Sequence, residues 1–151
     1  MNDLVAAVRR NPFIAGEKIG ETYTIFAAAA TVYIIGRRRR KPRLEHLGWD
    51  EMRTALLGQV VAVGIKAIIR RHRPLRPNGT RQSGFSFPSG HATVTFAAAT
   101  VLQRRLGYRA GIAAYAIASY VAASRLHDNR HYLSDVVFGA AMGIVIGRSV
   151  A

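Results

Sequence analysis

The chain has 151 residues, a length typical of one domain, and half of its residues are hydrophobic although its formal net charge is +14. Such a charge favours an anionic partner. Three kinds of partner fit, namely nucleic acid, an anionic membrane surface and a phosphorylated substrate, and the charge alone does not choose between them. Cysteine is absent, which excludes a disulfide framework, a thiolate metal site and a thiol nucleophile.

The amino-terminal twenty residues contain acids and arginines where a secretory signal needs an unbroken apolar stretch. We therefore expect no cleavable signal. The residues before Pro12 are a candidate short amphipathic helix.

Five apolar runs follow, and their alanine-rich composition favours helices, whereas strand signals are weak throughout. The runs are Thr22 to Gly36, Thr54 to Ile69, Ala92 to Leu102, Ala110 to Ser124 and Tyr132 to Gly147. The predicted fold class is therefore all-α, a helical bundle of about five short apolar helices in a single domain covering 1–151.

The length of these runs bears on whether the bundle lies in a membrane. Each is shorter than the about 20 residues that cross a bilayer, although flanking apolar residues can lengthen them. Small residues at Gly139, Ala140, Gly143 and Gly147 suit the close helix packing of membrane bundles. We favour a membrane-embedded bundle over a soluble one with an unusually apolar core.

Two joints between runs are strongly basic, one from Arg37 to Arg43 and one from Arg104 to Arg109. The positive-inside tendency places both in the cytoplasm, so the joints 70–91 and 125–131 share the outer face. The first basic joint lacks the interleaved aromatic residues of a nucleic-acid surface, and we expect no nucleic-acid partner. It is more simply a topology and lipid-headgroup signal.

The outer joints carry three clusters of reactive residues. Lys66 and Arg73 are seven residues apart, about two helical turns, so one face can bring both to a single anion before Pro74 ends the helix. Arg125 adds a bidentate fork for a tetrahedral anion.

The second cluster, Phe87-Pro88-Ser89-Gly90-His91, opens the third run. Helix N-termini offer free backbone N–H groups to anions, Ser89 is a plausible N-cap, and Gly90 permits close backbone approach. His91 is then placed to act as a general acid.

The third cluster contains His131 and Asp135, which are four residues apart and so neighbours on one face of a helix. That spacing lets the carboxylate accept a hydrogen bond from one ring nitrogen while the other attacks phosphorus. Phosphoryl transfer needs such a nucleophile, a proton donor and fixed positive charge, and all three are present.

The pattern K-x6-R-P, P-S-G-H and S-R-x5-H-x3-D resembles the signature motifs of the type 2 phosphatidic acid phosphatase superfamily. That superfamily includes lipid phosphatases, bacterial non-specific acid phosphatases, glucose-6-phosphatase and vanadium haloperoxidases. The resemblance covers 54–148, preceded by amino-terminal helices and a basic loop in 1–53. It implies a helical bundle, hydrolysis of a phosphomonoester or pyrophosphate, and no metal or other cofactor.

The resemblance also implies residue roles: a phosphohistidine on His131, His91 as acid and Asp135 as its orienting group. The residues implied to surround the phosphate are Lys66, Arg73, Ser89, Gly90 and Arg125. Membrane members commonly have six spanning helices, so we expect either a compact membrane form or a piece that lacks its leader.

We expect a lipid phosphate as substrate, at the outer face of a bacterial inner membrane, because a site at that surface meets headgroups directly. A soluble periplasmic acid phosphatase, a haloperoxidase and a non-catalytic basic membrane protein are the alternatives. His127 and Asp128 are weaker candidates for substrate contact. The remaining basic residues of the first outer joint, expected to face solvent or headgroups, are Arg70, Arg71, His72, Arg76 and Arg81.

Overall fold

The computed structural model describes residues 13–151, and within them the chain is almost entirely helical. The helices are α1 (Ile14–Ile19), α2 (Thr22–Arg38), α3 (Pro42–Ile69), α4 (Gly90–Leu106), α5 (Tyr108–His127) and α6 (Leu133–Val150). The all-α prediction is confirmed. The helix expected before Pro12 lies outside the described residues, and the short α1 was not predicted.

The second predicted run proved too short. It was expected to begin at Thr54, whereas α3 begins twelve residues earlier, at Pro42, and has 28 residues. Charged residues such as Asp50 and Glu51 end the apolar run without ending the helix, since both side chains are buried against its neighbours. The basic joint between α2 and α3 is consequently only the turn 39–41.

Glycines bring two pairs of helices into backbone contact. A Cβ atom on Gly36 or Gly48 would clash with backbone atoms of the neighbouring helix, which fixes the hairpin of α2 and α3. Gly139, Gly143 and Gly147 of α6 lie similarly close to α4. Close helix packing at these glycines was predicted from the sequence. Gly143 is the tightest of them, because a Cβ at this position would overlap the carbonyl oxygen of Thr93.

The alternating helices place the two kinds of joint at opposite ends of the bundle. An ion pair of 2.5 Å joins Arg105, near the end of α4, to Asp50 in the first half of α3. At the other end, Gln82 Nε2 donates a hydrogen bond of 2.6 Å to the carbonyl oxygen of Asn129. The predicted gathering of the two outer joints at one end is therefore observed.

The outer surface of the bundle is apolar. Large side chains such as Leu56, Val60 and Ile68 are 58%, 59% and 81% exposed. Two helices, α3 and α6, are long and apolar enough to cross a membrane. Only 22% and 28% of the residues in their apolar stretches are buried, as expected of helices that face lipid rather than a soluble core.

Replacing Gly143 by alanine should destabilise the fold because the new methyl group has no room against Thr93. Overpacking of this kind costs about 1–3 kcal/mol. Thermal unfolding in detergent should show a lower midpoint for Gly143→Ala. Gly64→Ala is the matched control, since a Cβ there meets nothing within 4 Å, and its midpoint should not fall. Equal midpoints for the two variants would contradict this packing of α6 on α4.

Candidate active site

Two loops meet at the end of the bundle opposite the basic turns. The 70–89 loop joins α3 to α4, and the 128–132 loop joins α5 to α6. Arg71 Nη1 donates to Ser134 Oγ at 2.8 Å, and the Ser89 backbone N–H donates to the Asp135 carbonyl at 3.0 Å. These bonds bring the three predicted clusters, which are distant in sequence, to one place.

Ser86 connects the clusters more directly than any predicted residue does. It is fully buried, and its carbonyl oxygen accepts a hydrogen bond of 3.3 Å from Lys66 Nζ. Its hydroxyl donates to Asp135 Oδ2. Ser86 was not predicted from the sequence, and the only available signal was a small hydroxyl residue immediately before the Phe87 to His91 cluster.

The cationic side chains of the site lie close enough to affect one another and His131 electrostatically. Lys66 Nζ is fixed by the Phe85 and Ser86 carbonyls, at 3.2 and 3.3 Å. Burial lowers the pKa of the Arg73 guanidinium, and the positive charges of Arg130 and Arg125 lower it further. Arg73 therefore lies close enough to these arginines for their positive charges to repel one another, and a bound anion would reduce that repulsion. Arg130 was not among the predicted site residues.

Arg125 is held in place from two sides. It is 3% exposed, its Nε donates to Ser124 Oγ at 3.1 Å, and its Nη2 lies 3.3 Å from Asp128 Oδ2. Asp128, considered from sequence as a substrate contact, is thus an ion-pair partner of Arg125. The exposed His127 contacts the same carboxylate, with Nδ1 3.2 Å from Asp128 Oδ1.

The start of α4 has the predicted form. Ser89 is the N-cap, and its hydroxyl accepts from the Ala92 backbone N–H at 3.4 Å. Gly90 leaves open space, because the nearest atom to a Cβ placed there would be Gln59 Oε1, at 3.8 Å. His91 follows in the first turn of α4, so the acid candidate lies beside an unobstructed helix N-terminus.

The amino-terminal segment lies against the site. A Cβ on Gly20, the residue after α1, would lie 2.7 Å from His91 Cδ2. A Cβ on Gly16 would lie 2.6 Å from Ser124 Oγ, the atom that accepts from Arg125. The segment therefore forms a wall beside the acid candidate and a phosphate-binding candidate. No pattern in the sequence indicated this contact.

The predicted hydrogen bond between His131 and Asp135 is not formed. Nδ1 of His131 lies 3.7 Å from Asp135 Oδ2, which is an ion-pair distance and too long for a hydrogen bond. The prediction assumed that both residues lie on one helix, whereas α6 begins at Leu133 and His131 precedes it. Asp135 instead accepts a bond of 2.9 Å from the Tyr132 backbone N–H at the start of that helix.

Burial lowers the pKa of His131 below its ordinary value, and the charges of Lys66 and Arg73 lower it further. A hydrogen bond from the ring to the Ser86 backbone carbonyl and the negative charge of Asp135 oppose this lowering of the pKa in part. The ring is therefore neutral in mildly acidic solution. A neutral imidazole is the nucleophilic form, so the His131 ring could attack a bound anion without first losing a proton.

Within residues 13–151, no three histidine, aspartate or glutamate side chains are grouped so that they could hold a metal ion. The positive charge at the site comes instead from the side chains of Lys66, Arg73, Arg125 and Arg130. Such a cluster suits an oxyanion with several equatorial oxygens.

Comparisons with known proteins show which proteins this chain is similar to. Residues 48–151 match the PAP2 superfamily. The chain is 41% identical over 101 residues to lipid A 1-phosphatase of Porphyromonas gingivalis, an alignment that covers 65% of this chain and 21% of that protein. It is 36% identical over 118 residues to decaprenylphosphoryl-5-phosphoribose phosphatase of Mycobacterium tuberculosis, covering 76% of this chain and 62% of that one. The chain thus spans less than two thirds of the length of these relatives.

The fold also matches a solved structure. A crystal structure of a transmembrane PAP2 type phosphatidylglycerolphosphate phosphatase from Bacillus subtilis superimposes with a TM-score of 0.68. The superposition covers 91% of this chain and 72% of that one, at 23% sequence identity. The helices of this chain are therefore arranged as in that structure.

The low pKa of His131 is testable by NMR of histidine-labelled protein in detergent, with His131→Asn to identify its ring signal. We expect the ring to titrate below the ordinary value of about 6.5. Lys66→Met should raise the pKa, because it removes a positive charge that disfavours the protonated ring. Lys18→Met, which removes a cation that is 75% exposed, serves as the control and should leave it unchanged. A normal titration of His131 in the unaltered protein would show that the pocket does not act as described.

Proposed function

Because the chain belongs to the PAP2 superfamily, we propose that it is a membrane phosphatase that hydrolyses the phosphomonoester or pyrophosphate group of a lipid through a phosphohistidine. The observation that carries the proposal is the neutral, buried ring of His131 beside Lys66 and Arg73. A nucleophile in a pocket of fixed positive charge is what phosphoryl transfer requires.

In this mechanism the phosphate lies among Lys66, Arg73 and Arg125, with the N-terminus of α4 at Ser89 and Gly90 supplying backbone N–H groups. Because Nδ1 of His131 faces Asp135, Nε2 is the attacking atom. A P–N bond forms as the P–O bond to the lipid breaks, and His91 gives its proton to the departing oxygen. Water then attacks phosphorus, His91 takes its proton, and inorganic phosphate leaves as His131 is freed.

We further propose that 1–151 acts as a single unit, with 1–53 completing the signature core of 54–148. The contacts of Gly16 and Gly20 with Ser124 and His91 support this, because they join the amino-terminal part to the site. With the basic turns in the cytoplasm, the site faces the outside of a bacterial inner membrane.

The two catalytic histidines should differ in how their loss depends on the substrate. His131→Ala should abolish turnover and the trapping of a phosphoenzyme, because no nucleophile remains. His91→Ala should keep measurable activity on an aryl phosphate, whose leaving group departs without a proton, and lose activity on an alkyl phosphate. Assays of the purified protein in detergent against both substrates test this. If the two variants retained equal activity, the assigned roles would be wrong.

A lateral groove supports a lipid substrate. It has a volume of about 380 Å³, lies among α2, α3, α4 and α5, and is lined almost entirely by aliphatic side chains. Thr95 lines it, one turn from His91 on α4, and bonds the His91 carbonyl at 2.8 Å. From Thr95 it follows α4 to Leu102, about 10 Å at 1.5 Å per residue. The occupant that fits is the hydrocarbon chain of a lipid whose phosphate lies at His131.

The lining also contains one carboxylate, that of Glu51. Glu51 adjoins Asp50, whose ion pair with Arg105 lies toward the basic turns, so this end of the groove is away from the phosphate. The part nearer the site is free of charged side chains among the lining residues of the described chain. An alkyl or isoprenyl chain would thus meet apolar surface where it leaves the headgroup.

Filling the groove should affect long-chain substrates selectively. Ala114→Trp places a ring in the groove and should lower kcat/KM for a long-chain lipid phosphate by about tenfold, the equivalent of two unburied methylene groups. Activity on a soluble aryl phosphate should be unchanged. Ala116→Trp, exposed on the same helix and outside the lining, is the control. Equal losses on both substrates would argue against a chain-binding groove while leaving the phosphatase proposal intact.

A further inference from the structure

Arg71 makes more specific contacts than a solvated surface arginine would. Its Nη1 donates to Asp135 Oδ1 at 2.9 Å and to Ser134 Oγ at 2.8 Å. Its guanidinium carbon lies 4.1 Å from the centroid of the Tyr132 ring. All three partners belong to the start of α6, so one side chain from the 70–89 loop grips the helix that carries Asp135.

The Asp135 carboxylate has its donors divided between its oxygens. Oδ2 accepts from the Ser86 hydroxyl and from the Tyr132 backbone N–H, and it is also the oxygen that lies 3.7 Å from His131 Nδ1. Oδ1 accepts from Arg71. Since Asp135 is fully buried, water cannot easily replace that donor. Without Arg71, Oδ1 would lose this donor, and the carboxylate would be freer to rotate about Oδ2, the oxygen that faces His131.

A buried carboxylate beside a nucleophile also needs a counter-charge. Arg71 supplies it at ion-pair distance, with a side chain that is 39% exposed while that of Asp135 is not exposed at all. One atom of Arg71, Nη1, binds both the carboxylate and the Ser134 hydroxyl, while the planar face of the guanidinium covers the Tyr132 ring. The ammonium group of a lysine has no such face to lay over an aromatic ring.

We propose that Arg71 is a positioning residue, which holds the Asp135 carboxylate in the orientation that directs His131 at phosphorus and does not itself bind the phosphate. The inference rests on the proposed phosphatase function. Its neighbour Arg70 provides a contrast, since its Nε bonds to the Ala67 carbonyl at 2.9 Å and caps its own helix. Position in the basic loop alone therefore does not confer the role.

The test compares Arg71→Ala, Arg71→Lys and the control Arg70→Ala in detergent, with a soluble aryl phosphate. Arg71→Ala should lower kcat by about 10- to 100-fold, the scale expected when a reacting group is misplaced by a fraction of an ångström to 1 Å. KM and the inhibition constant of inorganic phosphate should stay within about twofold, because the phosphate ligands are unchanged. Arg71→Lys should recover part of kcat, and Arg70→Ala should match the unaltered protein. Arg71→Lys also covers the case in which the alanine variant does not fold.

A double-variant cycle distinguishes positioning from a merely structural role. If Arg71 acts through Asp135, then Arg71→Ala should cost little further activity in an Asp135→Ala background. Additive losses in the double variant would overturn the inference, and so would a kcat for Arg71→Ala within twofold of the unaltered protein. A large rise in the phosphate inhibition constant would make Arg71 a phosphate ligand and overturn it equally. In all three cases the unaltered protein remains active, whereas an inactive unaltered protein overturns the proposed function itself.

Discussion

The arrangement of the site depends on the hydrogen bonds that the buried carboxylate of Asp135 accepts. The carboxylate accepts hydrogen bonds from Arg71, from Ser86 and from the Tyr132 backbone N–H. The backbone carbonyl of Asp135 also accepts a bond, from the Ser89 backbone N–H. A carboxylate without these donors would be costly to bury, so the donors and the carboxylate must assemble together. Two loops and two helix starts are thereby fixed to one point, and His131 lies beside it.

The apolar surface of the helices explains why the positive charges gather at the two ends of the bundle. The helices offer hydrophobic surface to their surroundings along most of their length, so charged groups concentrate at the ends. At one end the arginines lie in short turns, and at the other they converge on a buried histidine. Burial and neighbouring cations lower the pKa of that histidine, so its ring is neutral, which is the form that the proposed mechanism requires.

The amino-terminal segment extends the site beyond the residues that match the superfamily, which begin at 48. Gly16 and Gly20 approach Ser124 and His91 so closely that any larger residue would displace them. Ile19, the last residue of α1 and between these two glycines, also lines the lateral groove. The segment thus contacts both the candidate site, at His91 and Ser124, and the lateral groove.

The sequence determined the helical class, the run of apolar segments and most of the charged and histidine residues that the structure brings together, because composition and spacing express these features locally. It did not indicate the positions of Arg71 and Arg130 at the site. It did not determine the start of α3 at Pro42, since buried acidic residues resemble a loop until their partners are known. The tertiary structure alone decided that Asp135 bonds to Ser86 and Arg71 rather than to His131. The physical reason is that a buried carboxylate takes whichever donors the folded chain brings nearest, and those donors come from residues about 50 and 64 positions away.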